Sequence, residues 1–185
     1  MWMESNGKFV QKDGTKSELI NSPVIFGEPG TNSQHSFFQM IQQGNQVIPV
    51  DFILIKRQGL SEQFNHHLNS NALAQSATMA FGKDTQTLKK EEIAKELIPH
   101  KMMPGNRPST TIILDELEPY ILGQLISFYE QSILIQGLLL QINSFDQFGV
   151  ELGKKNAQQI YRKLTNQDNQ KFDKSTENLI KHLKN

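Results

Sequence analysis

The sequence predicts an α/β domain with a largely parallel sheet. Two apolar, β-branched stretches, residues 47–55 and 110–114, have the composition of buried strands. Segments with apolar residues at helical spacing lie between and after them, over residues 61–81 and from residue 118 onward. Strands that alternate with helices favour a parallel sheet covered by helices. The sequence has no internal repeat and no glycine-rich dinucleotide or P-loop motif.

The amino-terminal elements are short and separated by turn signals. Residues 1–22 are expected to form a strand edge and then a polar loop, because Asp13-Gly14 favours a turn. Residues 24–26 are a predicted short strand, which a Gly-Glu-Pro-Gly segment would end. A helix is predicted to begin at the capping residues 31–33 and to close at Gly44.

The remaining elements are predicted from the same signals. Pro119 suits the first turn of a helix, and the glycine and prolines of residues 104–108 favour a loop. In chain order we expect a helix over 61–81, a short charged helix over 90–97, a loop over 100–108, a strand over 110–114, a helix from 118 to about 129, a helix over 148–164, a polar segment over 165–176 and a final helix around 179–183.

The composition excludes several classes of protein. The chain has 185 residues, enough for one domain with a core, and 19 basic side chains balance 19 acidic ones. A net charge of zero argues against binding to nucleic acid or to a membrane surface. There is no cysteine, hence no disulfide and no thiolate metal ligand. Without a secretory signal or an apolar run of roughly 18 to 20 residues, we expect a soluble, cytoplasmic protein.

The stretch 137–154 joins an apolar element to a dense polar turn. Residues 133–142 are largely apolar, residues 143–149 carry asparagine, serine, aspartate and glutamine, and a helix with Glu151 and Lys154 follows. Polar groups at the end of a rigid apolar element make a plausible ligand site. The alternative is an ordinary turn followed by a solvated lysine.

A second polar region, residues 27–39, contains His35. The predicted strand ends in a Gly-Pro turn, which places His35 in the first turn of the helix that follows. A helix N-terminus favours negatively charged ligands, and an imidazole suits general acid/base work near pH 7. From spacing alone, a histidine packed among Phe37 and Phe38 is the favoured interpretation.

Three segments resemble the signatures of the glucose-6-phosphate isomerase family, also called phosphoglucose isomerases. They are Met-Glu-Ser-Asn-Gly-Lys at residues 3–8, Gly-Glu-Pro-Gly-Thr-Asn-x-Gln-His at residues 27–35, and the carboxy-terminal signature within 137–154. Ser33 replaces the glycine usual in the second signature. In the third signature the matching residues are Gly137, Leu139, Leu140, Phe145, Asp146, Gln147, Gly149, Val150, Glu151 and Lys154.

The resemblance implies an aldose–ketose isomerase that interconverts glucose 6-phosphate and fructose 6-phosphate through a cis-enediol, as in glycolysis and gluconeogenesis. Glu4 would be the base that moves a proton between sugar carbons 1 and 2. His35 and Lys154 would open the sugar ring, and Gln147 would contact the substrate phosphate. A carboxylate, a histidine and a lysine supply the proton transfers, so no metal and no cofactor are expected. In this family the enzyme is a homodimer, and the histidine is contributed across the interface.

Two other groups of residues have a structural and a functional interpretation. The segment Gly105-Asn106-Arg107-Pro108 reads as a structural loop, although Arg107 is also of a type that binds phosphate. His66 and His67 suggest a metal, but adjacent residues point apart on a helix, which argues against a shared ion.

The resemblance extends from residue 2 to about residue 164, but two motifs of the family are missing from the sequence. The chain has no Gly-Gly-Arg motif and no Ser/Thr-rich phosphate loop, both of which family members use. We therefore expect a sugar-isomerase (SIS) type layered sandwich that is truncated at its N-terminal side. Residues 1–164 would be the C-terminal part of the second sugar-isomerase domain, and residues 165–185 a polar linker with a C-terminal helix. The missing N-terminal portion of the enzyme would be a partner, and the chain alone would be inactive.

Two alternatives to an isomerase remain. The chain could be a non-catalytic sugar-phosphate-binding module of the same fold, or a structural remnant of a split gene. A pure binding module needs no set of proton-transfer groups, so Glu4, His35 and Lys154 favour the enzyme.

Overall fold

The computed structural model describes residues 1–19, 22–57, 59 and 61–184. Residues 20 and 21 of the predicted segment 1–22, and residue 185 of the predicted segment 165–185, lie outside the described residues. The chain divides into two compact units, one formed by Met1–Ile25 with Tyr129–Asn185 and the other by Phe26–Phe128. The helices and strands are α1 Trp2–Asn6, α2 Gly30–Ser33, α3 Phe38–Gln43, β1 Val50–Arg57, α4 Glu62–Phe81, α5 Thr85–Lys90, α6 Ile98–Lys101, β2 Ser109–Glu116, α7 Pro119–Leu139, α8 Glu151–Leu164 and α9 Lys174–Lys184, with 3-10 turns at Lys95–Leu97 and Phe148–Val150.

A parallel pair of strands lies in the unit Phe26–Phe128. β1 and β2 are hydrogen-bonded in parallel, with Val50 opposite Ser109 and Ile53 opposite Ile112. The connection between them contains α4, α5 and α6, because parallel strands need a long crossover. The predicted α/β class with a parallel sheet is therefore confirmed.

The core of this unit forms where α3 and α4 meet β1. Phe38, Ile41 and Met79 are buried, and Met79 has no exposed surface. The rings of Phe38 and Phe52 lie 6.3 Å apart, so α3 packs against the strand through aromatic contact. These residues are apolar at helical or alternating spacing, and burying them is what holds the two layers together.

The loop before β2 is packed tightly against the end of α4. Gly82 and Gly105 both have positive φ, and a Cβ atom on Gly82 would lie 2.3 Å from the carbonyl oxygen of Met103. The buried Arg107 guanidinium donates to the carbonyl oxygens of Gly44 at 2.5 Å and Gln46 at 2.6 Å. The structural interpretation of this loop is confirmed, since Arg107 satisfies the backbone at the end of α3 and does not face solvent.

In the other unit, the C-terminal tail is docked against α8. Lys163 on α8 pairs with Glu177 on α9, whose carboxylate also accepts a hydrogen bond from the backbone amide of Phe172 at 2.8 Å. Ile180 on α9 is buried. The hydrogen bond from Lys163 is the main reason that the pKa of Glu177 lies below its ordinary value.

Four secondary-structure predictions were wrong. Residues 2–6 form a helix where a strand edge was expected, and residues 24–26 pair with no strand among the described residues. The charged helix expected over 90–97 is not formed: α5 begins at Thr85, where Asp84 caps it through the amide of Thr87, and ends at Lys90, and Lys95–Leu97 is only a 3-10 turn. The helix expected over 31–44 is split into α2 and α3, and His35 lies in the turn between them.

Candidate functional site

Glu4 lies on α1, a five-residue helix that is held by its opposite face. Trp2 and Asn6, at positions i and i+4, lie on one face, and both side chains donate hydrogen bonds to the amide oxygen of Gln136 on α7. Glu4 lies two residues from Trp2 and two from Asn6, which places it about 200° around the helix from both, at about 100° per residue. Its side chain is exposed. The fold therefore presents the Glu4 carboxylate away from the anchoring contacts.

Asn6 is the most enclosed polar side chain among the described residues of this unit. It has no exposed surface. Its amide nitrogen donates to the carbonyl oxygen of Ile133 at 2.9 Å and to Gln136 at 3.1 Å, and its amide oxygen accepts from the Ser144 hydroxyl at 2.7 Å. Both N–H donors and the oxygen of the Asn6 amide therefore have partners. At a buried position, a polar group without a hydrogen bond would lower the stability of the fold.

Lys8 forms a second link between the same two segments. Its ammonium group lies 3.3 Å from the Asp146 carboxylate, and it also donates to the carbonyl oxygens of Ser5 and Asn143. The side chains of Lys8 and Asp146 are only 18% and 23% exposed. Partial burial reduces screening of this ion pair by water, so it joins α1 to the polar turn.

The polar turn 143–147 is internally braced and leads directly to α8. Asn143 accepts a hydrogen bond from the Phe145 amide at 3.2 Å and donates to the Asp146 carboxylate at 2.6 Å. Gln147, which is half-buried, follows, and Lys154 is exposed in the first turns of α8. The sequence-predicted polar loop at the end of an apolar element is therefore present, since α7 ends at Leu139.

The structure places the four predicted site residues in both units. Glu4, Gln147 and Lys154 belong to the unit formed by 1–25 and 129–185, and His35 belongs to the unit formed by 26–128. Within the first unit, hydrogen bonds join the segment that carries Glu4 to the segment that leads to Gln147 and Lys154. His35 is exposed in a turn whose backbone is closed by a hydrogen bond from its amide to the carbonyl oxygen of Asn32 at 3.0 Å.

The turn around His35 is held by its neighbours. Ser36 donates to the Glu28 carboxylate at 2.8 Å, and Gln34 donates to Asn71 on α4 at 3.2 Å. The buried Ser33 hydroxyl donates to the carbonyl oxygen of Gly30 at 2.7 Å. These contacts leave the imidazole available to a ligand. The dipole argument made from sequence was wrong here, because His35 precedes α3 and is not in its first turn.

Sequence reasoning missed the residues that connect the motifs. Asn6, Gln136 and Ser144 carry the buried hydrogen bonds, and Gly137 provides the space for them. The available signal was that Asn6 lies inside the same hexapeptide as Glu4. Among the described residues, no three histidine, aspartate or glutamate side chains converge as metal ligands, and no helix is both long and apolar enough to cross a membrane.

The structure is that of an α/β protein in which hydrogen bonds join the helix that carries Glu4 to the polar turn that precedes α8. The chain belongs to the phosphoglucose isomerase family, because the family model described as Phosphoglucose isomerase matches residues 1–180. The chain is 46% identical over 191 aligned residues to a glucose-6-phosphate isomerase from Corynebacterium jeikeium, covering 98% of this chain and 34% of that protein. A relative with the same name from Dechloromonas aromatica is 45% identical, with 98% of this chain and 35% of that protein covered.

A solved structure is similar over the same extent. The crystal structure of a glucose-6-phosphate isomerase from Chlamydia trachomatis has 35% sequence identity and a TM-score of 0.77, covering 98% of this chain and 33% of that chain. The chain therefore spans about a third of the length of the curated relatives that it matches.

Proposed function

We propose that this chain supplies the acid/base groups of a glucose-6-phosphate isomerase. The observation that carries the proposal is the buried connection between the Glu4 helix and the turn that leads to Lys154, formed by Asn6 and Ser144. Two motifs that are 138 residues apart in sequence are joined as one structural element. A proton-transfer site requires this arrangement, since its groups must be held in a fixed mutual geometry. Relatives at 45–46% identity are named for this activity.

The reaction divides into ring opening and proton transfer. His35 and Lys154 move a proton between the ring oxygen and the hydroxyl at carbon 1, which opens the ring of glucose 6-phosphate. Glu4 then takes the proton from carbon 2 to form a cis-enediolate, a proton passes from the hydroxyl at carbon 2 to the oxygen at carbon 1 through the cis-enediol, and Glu4 returns its proton to carbon 1. No electron acceptor is consumed, because the aldehyde is reduced as the alcohol at carbon 2 is oxidised. Gln147 binds the phosphate, a remote contact that orients the reacting carbons.

The proposal includes the assembly and the location of the protein. The working enzyme is a cytoplasmic homodimer in which His35 is contributed across the interface, and residues 1–164 act as part of a sugar-isomerase domain with residues 165–185 as a linker and helix. The exposed His35 in a turn braced by Ser36 and Gln34 supports a role at such an interface. The absence of cysteine supports a reducing compartment.

The test uses a hybrid enzyme in which residues 1–185 replace the aligned third of the Corynebacterium jeikeium relative. We expect the hybrid to interconvert glucose 6-phosphate and fructose 6-phosphate, and the separate chain to show little or no turnover. Glu4→Gln should reduce kcat at least about 10³-fold and leave substrate binding within about tenfold, because the carboxylate moves the proton and does not hold the phosphate.

The matched control is Glu18→Gln, a second exposed glutamate in the same unit. It should leave kcat unchanged. Retention of most of the kcat by Glu4→Gln would refute the role of Glu4. A hybrid that binds glucose 6-phosphate but does not turn it over, with Glu4 intact, would instead support the non-catalytic binding module.

A further inference from the structure

Helix α1 cannot determine the position of Glu4 by itself. It has five residues, and no side chain caps its N-terminus. Helices this short are not stable in isolation, because the conformational entropy lost in forming the first turn exceeds the stabilisation from its hydrogen bond. The position of the Glu4 carboxylate is therefore set by the tertiary contacts of α1. The anchoring contacts to α7 are those of Trp2 and Asn6, and the sulfur of Met3 also accepts from the Ile25 amide at 3.4 Å.

We propose that Asn6 is a positioning residue that holds Glu4 in register with the segment leading to Gln147 and Lys154, and that Gly137 is required to leave room for the Asn6–Ser144 hydrogen bond. This inference rests on the proposed function of Glu4. It adds residues that do not touch the substrate, because Asn6, Ser144 and Gly137 are all buried within the unit.

The amide of Asn6 suits this position in a way that other side chains do not. It donates to α7 through Ile133 and Gln136 and accepts from the turn through Ser144, so one planar group connects three segments. Aspartate has the same shape but lacks both donors and adds a buried charge, and leucine lacks all three hydrogen bonds. Aspartate leaves the carbonyl oxygen of Ile133 without its donor, and leucine leaves both Ile133 and the Ser144 hydroxyl without their partner.

Gly137 is required by space and not by backbone conformation. It lies within α7, and a Cβ atom there would be 2.0 Å from the Ser144 hydroxyl oxygen and 3.0 Å from the amide oxygen of Asn6. Contacts that short force Ser144 away from Asn6. Gly123, on the same helix, has no atom within 4 Å of the position of an added Cβ.

The functional consequence follows from the geometry of proton transfer. A general base must lie within hydrogen-bond reach of the proton that it removes. A displacement of about 1 Å commonly costs on the order of 10²-fold in rate. Loss of the Asn6–Ser144 bond should therefore slow proton transfer by Glu4 and leave phosphate binding almost unchanged.

The test compares Ser144→Ala, Asn6→Asp and Gly137→Ala with Gly123→Ala in the hybrid enzyme. The first three should each lower kcat about 10- to 100-fold with KM within about threefold. They should also raise the primary isotope effect with glucose 6-phosphate deuterated at carbon 2, because proton transfer becomes more rate-limiting. Gly123→Ala should match the parent enzyme in both measurements.

A double variant separates the steric effect of a side chain at position 137 from the loss of the hydrogen bond between Ser144 and Asn6. In Gly137→Ala/Ser144→Ala the clashing hydroxyl is absent, so the melting temperature should recover relative to Gly137→Ala. The kcat should stay at the level of Ser144→Ala alone, since the hydrogen bond to Asn6 is still missing.

Two outcomes overturn the inference. One is a loss of kcat that equals the loss of folded enzyme, with an unchanged isotope effect, which identifies a purely structural role. The other is normal kcat in Ser144→Ala, the variant expected to fold most easily. If Glu4→Gln is inactive in the same assay, either outcome refutes the positioning role alone. If Glu4→Gln is active, the proposed function fails as well.

Discussion

Replacing Arg107 by methionine should loosen the end of α3 without affecting phosphate binding. Arg107 is 8% exposed, and its guanidinium donates to the carbonyl oxygens of Gly44 and Gln46 at 2.5 and 2.6 Å. Hydrogen bonds to charged groups contribute about 1.5–3 kcal/mol each. Part of the stability lost with these two hydrogen bonds is recovered, because burying methionine does not require a charge to be removed from water. The expected net loss of local stability is about 2–4 kcal/mol.

Amide hydrogen exchange in the hybrid enzyme measures this loss directly. Since about 1.4 kcal/mol corresponds to a factor of ten, amides of α3 that exchange through local opening should exchange about 30- to 700-fold faster in Arg107→Met. Arg107→Lys should show a smaller increase, because a single ammonium group cannot reproduce the fork that serves both carbonyls.

The matched control is Arg57→Met at the end of β1. Arg57 is 65% exposed and pairs with Glu116 at 3.4 Å, a contact of the kind that contributes at most about 1 kcal/mol. Exchange in α3 should therefore change by less than about fivefold. Unchanged exchange in Arg107→Met together with a raised KM for glucose 6-phosphate would refute the structural role and support phosphate binding.

The remaining predictions concern the tail and the ring-opening groups. The lowered pKa of Glu177, caused mainly by its hydrogen bond from Lys163, stabilises tail docking above the ordinary pKa of 4.5; this contribution is lost as the pH falls below that value through the lowered folded-state pKa. The protection factors of the α9 amides, which correct for the intrinsic pH dependence of amide exchange, should therefore fall as the pH is lowered from about 5 and Glu177 is protonated. A Glu177→Gln variant in which that loss of protection is undiminished would contradict the assignment. His35→Ala and Lys154→Ala should reduce turnover of the cyclic substrate more than turnover of an open-chain sugar phosphate, and equal losses would argue against ring opening. Mixed Glu4→Gln and His35→Ala subunits should recover activity if His35 acts across the interface, and no recovery after verified subunit exchange would place the site within one subunit.

Much of the fold could be predicted from the sequence, and candidate site residues could be named, because the signals are local. The β-branched runs predicted both strands, the helix over 61–81 was placed within one residue of α4, and Gly44 ended α3 as expected. These signals depend on spacing and on the capping preferences of neighbouring residues. The family resemblance also depends on contiguous motifs, which is why it indicated Glu4 and His35 directly.

The wrong predictions share a physical cause. Residues 24–26 are apolar enough for a strand, but Val24 and Phe26 are 73% and 80% exposed and no strand is paired with them among the described residues. A strand is stabilised by its neighbours, and composition cannot say whether a neighbour is present. Likewise, α1 is too short for a helical period to appear, so local turn signals dominated the prediction.

The sequence by itself determined the class of fold and the family, and it indicated the residues that we propose for proton transfer, because each of these signals lies in residues close together in the chain. Only the tertiary structure decided how those groups are held. The bonds from Asn6 to Ile133 and Ser144 span 127 and 138 residues, and the requirement for glycine at position 137 appears only when Ser144 is packed against it. Long-range hydrogen bonds and close packing depend on atoms that meet through folding, and no local pattern in the sequence specifies them.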